Sequence, residues 1–297
     1  MRNREEIASG LAALDALLQP RLAQGKKLQS LLAGARKKID ESDCSCQDLK
    51  KLVADLRKLI EAGPAASKEP QFEARAESFC SEVAAGIPVI ADASKKAFWL
   101  ALDEEAKKSG LRFKRIGEKE CLDVFEVTAD APKNVASLIY AKHVAASGIP
   151  MQPAAVVKQA KKLGDEIRSW VDSARPEELG KQFDEAMLVS LARGGKPMQG
   201  DQKRVALPVL FREMQLVVQD RAKPLTAETV QEYTMPQFVV DLRTLVTSEW
   251  NTNSKRRFDL EPAVIENAGN IAKAVFIPEA VDAGYGEGKW WQALRVQ

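Results

Sequence analysis

The 297-residue sequence predicts a mostly helical α+β protein. Three observations carry that expectation. Apolar residues recur at spacings of three and four through most of the chain, as one buried face of a helix requires. Charged residues make up 29% and aromatic residues only 6%, a balance that suits helices with solvated faces better than a β-sandwich. Alternating, strand-like stretches are confined to 111–129 and to the last forty or so residues. The length suits two domains, or one with an appendage. The pattern divides into a helical hairpin or coiled coil (1–62), a central helical region with a small β-hairpin (72–175) and a C-terminal domain (176–297).

Over 4–41, Ile7, Leu11, Leu14, Leu18, Leu22, Leu28, Leu32, Ala35 and Ile39 fall on one stripe. One long helix is expected there, kinked or broken at Pro20 and Gly25. After the turn "DESDCSC", Ser45 and Asp48 resemble a cap, and Leu49, Leu52, Leu56, Leu59 and Ile60 define a second helix. The stripe is narrow and leucine-rich, as a coiled-coil seam is. Leu11, Leu14, Leu18, Leu52 and Leu56 are therefore candidate self-association residues; the alternative is a hairpin that packs on the rest of the chain. "GPAASKEPQ", 63–71, reads as a linker.

Residues 72–108 are expected to be helical, interrupted at Gly86-Ile87-Pro88 and closed at Gly110, with Lys107 and Lys108 in the last turn. "LRFKRIGEKECLDVFEVTA" alternates, giving two strands around Gly117. "APKNVASLIYAKHVAASG", 131–148, is expected to return to helix from Pro132. Another helix covers 153–175, and Pro176 with Glu177 and Glu178 opens the next.

From there the order is suggestive. A helix from Pro176 is followed by a polar loop (194–203), a helix "LPVLFREMQLVV" and a third, "MPQFVVDLRTLVTSEW". Strands "RRFDLEP", "KAVFIP" and "KWWQALRV" close the chain. Three helices followed by a β-hairpin resemble the plan of a winged helix. Such modules include DNA readers, whose third helix enters the major groove. Here that helix offers Arg243 but also Asp241 and Glu249, which suits protein contact at least as well.

Several chemistries are excluded. The net charge of +2 sets no field that would draw bulk nucleic acid or an anionic membrane. Cys44, Cys46, Cys80 and Cys121 lack zinc-site spacing, and His143 is the one histidine, so a histidine-rich metal site cannot be built and a catalytic triad would have to use His143 alone. No catalytic residue, metal or cofactor is assigned. No run approaches the roughly 18 apolar residues of a membrane span. A cytoplasmic protein with reduced thiols is expected.

The stretch "GYGEGKWW", 284–291, has three readings. A phosphate loop needs its glycines between a strand and a helix, whereas these precede a strand. A magnesium-dependent nuclease could use Asp259, Glu287 and Lys289. A tight turn into a strand needs only the glycines. Along that strand, alternation puts Lys289, Trp291 and Arg295 on one face. With Lys255, Arg256 and Arg257 at the start of the hairpin, they are the candidate nucleic-acid or partner contacts. The leading expectation is a non-enzymatic binding or assembly subunit with a protein partner or a second copy; the alternatives are a DNA-binding regulator and the nuclease.

Overall fold

The computed structural model describes residues 4–18, 30, 33, 34, 37, 46–62, 70–193, 203–221, 232–255, 257–281 and 286–296. Among these, eight α-helices and two antiparallel sheets form a mixed, helix-rich α+β protein. The chain divides into two compact units. The first is Met1–Leu102 with Ala129–Ala136 and Pro150–Pro153; the second is Asp103–Thr128, Ser137–Ile149 and Ala154–Gln297. These differ from the three segments drawn from the sequence.

The first unit is built on α1 (Arg4–Leu18), α2 (Cys46–Ala62) and most of α3 (Pro70–Lys108). Ile7, Leu11 and Leu14 of α1, Leu49, Leu52 and Leu56 of α2, and Phe79 and Val83 of α3 share one core. Leu11, Leu14, Leu52 and Leu56 are therefore inside the chain's own core, none more than 6% exposed. A second copy would have to open this core to reach them. The side chain of Leu18, like Pro20 and Gly25, lies outside the described residues.

The expected interruption at Gly86-Ile87-Pro88 does not occur, because α3 runs through Pro88. Proline removes one ladder hydrogen bond and crowds the preceding turn. Ile87 and Ala91 on either side are buried in the core, and that burial holds the helix across the defect. Two thiols sit at these helix contacts: Cys46 Sγ donates to the Ile87 carbonyl and Cys80 Sγ to that of Val53, each at 3.9 Å. Both are buried, as is Cys121.

The second sheet-bearing stretch corrects the expectation for 131–148. The five-stranded sheet runs in order β1 (Phe113–Ile116), β2 (Lys119–Leu122), β3 (Phe125–Asp130), β4 (Val135–Tyr140) and β5 (His143–Pro150). The turn at Gly117 falls where expected, with φ +61°. The predicted helix is instead a short 3-10 turn, Ala131–Lys133, followed by β4 and β5. Ala136, Leu138 and Tyr140 alternate into the core, a period of two. Ala141 (φ 50°) and Lys142 (φ 65°) make the reversal, both in the left-handed region that a primed hairpin turn demands. His143 opens β5 and is 8% exposed. Burial lowers its pKa to about 4, so it is a neutral core residue at pH 7.

The remaining elements of the second unit are α4 (Pro153–Ser173), α5 (Pro176–Ala192), β6 (Lys203–Ala206), α6 (Leu207–Arg221), α7 (Met235–Thr247), α8 (Glu249–Asn253), β7 (Phe258–Pro262), β8 (Val275–Pro278) and β9 (Gly288–Val296). Phe238 of α7 is the hub of the helical core, with ring contacts to Phe183 at 5.8 Å and Phe211 at 5.5 Å. The one helix expected over "MPQFVVDLRTLVTSEW" is two, because the Ser248 hydroxyl leaves the helix to accept from the Asn251 N–H at 3.1 Å and caps α8. β6 was not foreseen; it pairs with β9, and the sheet order is β6-β9-β7, with β8 on the first half of β9. The two sheets meet where Tyr140 Oη donates to the Val281 carbonyl at 3.0 Å and the Lys142 ammonium stands 5.5 Å from the Phe276 ring.

Gly180 of α5 is where the Trp250 indole lies on the helix. A methyl group there would come within 2.4 Å of the ring. Gly180→Ala is expected to expel the indole and cost about 2–3 kcal/mol, despite alanine's better helix propensity. A thermal melt checks it; an unchanged midpoint would mean the indole is not seated on that glycine.

Candidate protein-contact groove

The site is set by an irregularity in β9. Lys289 lies opposite Ile277, and Trp291 lies opposite both Val275 and Pro262. The next pair on β7 is Glu261 with Ala293, so Gln292 has no partner on that strand. One extra residue reverses the alternation. Lys289 and Trp291 therefore share a face with Leu260 and Leu294, whereas Arg295 turns to the other face with Glu261. The expected Lys289–Trp291–Arg295 stripe is split across the sheet.

On the first face a groove of about 380 Å³ opens between the end of α7 and strands β7, β8 and β9. Val246, Leu260, Ile277, Pro278 and Trp291 supply its apolar lining. Arg243, Thr247, Asp259, Glu279 and Lys289 supply the polar part. The Arg243 guanidinium is committed: Nε donates to the Pro278 carbonyl at 3.2 Å and Nη2 to that of Glu279. It staples α7 to the end of β8. Asp259 accepts from Arg257 Nε at 3.0 Å.

The candidate contacts thus separate. Lys289 and Trp291 line the groove with Asp259. Lys255 is exposed between α8 and β7, Arg257 is paired with Asp259, and Arg256 lies outside the described residues. Glu287 is not among the residues that line the groove with Asp259 and Lys289. Its side chain is exposed, its carbonyl accepts from the Glu279 N–H at 2.8 Å, and Glu279 is the second carboxylate at the groove. Among the described residues no three His, Cys, Asp or Glu side chains are grouped so as to hold a metal. Gly288 serves the backbone: a Cβ there would come within 2.4 Å of the Ile277 carbonyl oxygen. The close approach of β8 to β9 needs that glycine.

The other face carries a network that sequence reasoning missed. Glu261 accepts from Arg204 Nε at 2.7 Å and Nη2 at 2.8 Å, from Arg295 Nε at 2.7 Å, and from Gln292 Nε2. These donors, Arg204 first, hold its carboxyl down at about 2. The partners come from two other strands, β6 and β9, and are 57, 31 and 34 positions from Glu261 in sequence, so no local spacing marks them.

Between β7 and β8 runs the loop 263–274. It is built from consecutive turns: the Asn267 N–H donates to the Val264 carbonyl and the Ala274 N–H to that of Asn270, both at 2.9 Å. Asn267 Nδ2 also donates to Gln292 Oε1 at 3.0 Å, which ties the loop to the Glu261 network. On this fixed backbone Val264 is 51%, Ile265 94% and Ile271 58% exposed.

Neither the family models nor the curated proteins nor the solved structures contain a match to this chain. Among the described residues no helix is long and apolar enough to cross a membrane.

Proposed function

We propose that this chain is a non-enzymatic binding or assembly subunit that contacts protein through its C-terminal module. From α5 the order is helix, strand, two helices and the short α8, then strands, with the first strand beside the last. We read that order as a winged-helix-like module, in which 263–274 would take the position of the wing. A DNA reader of this plan would present cations on its third helix and its wing. On α7, Phe238, Val239, Leu242 and Leu245 are buried, and Arg243 is engaged with backbone carbonyls. The wing presents Val264, Ile265 and Ile271.

The observation that carries the reading is Ile265, almost fully exposed on a hydrogen-bonded loop. Apolar side chains exposed on a hydrogen-bonded loop near an apolar groove favour a protein surface over a phosphate backbone. Association is assigned to this module rather than to Leu11, Leu14, Leu52 and Leu56, which the chain itself covers. Anisotropy of a labelled mixed-sequence duplex, titrated at low and moderate salt, tests it. No saturable binding is expected at either salt. Binding that weakens steeply with salt and is lost in a Lys255→Glu/Arg257→Glu variant would overturn it in favour of a DNA-binding regulator.

A further inference from the structure

We infer that the groove is occupied by a second copy of this chain, with Ile265 of one copy seated against Trp291 of the other. The inference rests on the protein-contact reading above and names the partner. One module carries both halves of the contact: an apolar projection at 264, 265 and 271, and an apolar depression floored by Leu260, Ile277 and Trp291. The projection does not fill its own groove, since Ile265 is 94% exposed, and the turn hydrogen bonds hold it there. A depression of about 380 Å³ has room for one or two branched side chains with their backbone.

The charges also match. Glu266 follows Ile265, and Lys273 follows Ile271 by two residues; Lys289 and Glu279 stand at the groove. Each loop charge thus has an opposite charge available at the groove, Glu266 with Lys289 and Lys273 with Glu279. This near-neutral, two-signed rim fits another copy of the same surface better than a polyanion. Projection and depression are different patches, so the contact is heterologous unless a two-fold axis lets each copy fill the other.

Sedimentation velocity of the purified full chain over a concentration series tests this, with circular dichroism to check each variant's fold. Wild type is expected to gain mass with concentration. Ile265→Asp and Glu266→Lys, both at exposed positions, are each expected to weaken association at least about tenfold. Lys289→Glu is expected to do the same, and Glu266→Lys combined with Lys289→Glu to restore most of it. A wild type that stays monomeric throughout would overturn the inference while leaving the protein-contact reading to its own test. Association untouched by Ile265→Asp, or charge reversals that do not rescue each other, would equally overturn it and place the interface elsewhere.

Discussion

Asp241→Asn is expected to stabilise the protein at pH 8 and to change it little at pH 4. Asp241 lies on the buried side of α7, 7% exposed, and its Oδ2 accepts from the Tyr233 hydroxyl at 2.8 Å. Burial raises its pKa from 3.8 to about 7, against the opposing effect of that hydrogen bond. Tyr233 is also held well above its ordinary value, by burial first and then by the neighbouring carboxylate. A carboxyl group whose folded pKa is raised favours the native state most below pH 3.8, and that contribution is lost as pH rises through 7. The loss amounts to roughly 4 kcal/mol between acid and base. Asparagine keeps an acceptor for Tyr233 and cannot ionise. Urea unfolding at pH 4, 6 and 8 should show a falling wild-type stability and a flatter variant. A variant as pH-dependent as wild type would remove Asp241 as the cause.

Glu261→Ala is expected to cost about 2–3 kcal/mol at pH 7. Arg204 and Arg295 lie directly opposite each other on β6 and β9, and Glu261 is the carboxylate that both guanidinium groups share. Removing it leaves two like charges facing across a strand pair and frees Gln292, through which the 263–274 loop is anchored. Because the carboxyl pKa is depressed to about 2 from 4.5, its stabilising contribution is present above pH 4.5 and fades as pH falls towards 2. The gap between wild type and Glu261→Gln should therefore narrow in acid. Glu261→Ala should also loosen the loop, seen as faster amide exchange at Asn267 and Ala274. An unchanged loop would separate the network from the presentation of Ile265.

Much of the helical architecture was legible in the sequence. Periodicity marked α4, Pro176 with two glutamates marked α5, and the leucine stripe marked α2. The stripe did not say what would cover it, because a leucine seam looks the same whether its partner is another chain or α3. The β4–β5 hairpin was hidden by its turn: Ala141 and Lys142 occupy left-handed backbone positions where asparagine or glycine would have signalled the reversal. Pro88 was misleading because tertiary burial on both sides outweighed a local penalty. At the site, Asp259, Lys289 and Trp291 were singled out and do line the groove. Arg295 was placed on the wrong face because a bulge has no signature in an otherwise alternating strand. Ile277 and Glu279 were missed, and Arg243 was noted only as a cation of the third helix, since only tertiary structure brings α7 and β8 to that groove.

The central claim, that this is a subunit held to protein by its C-terminal module, is tested most directly by native size in an extract. The chain would be followed by size exclusion from cells that express it, before and after nuclease treatment, beside an Ile265→Asp/Ile271→Asp variant. The account predicts elution above the 32.6 kDa of a single chain, unchanged by nuclease and shifted towards the monomer in the variant. Elution as a monomer from the outset, or a large species that nuclease collapses, would contradict it.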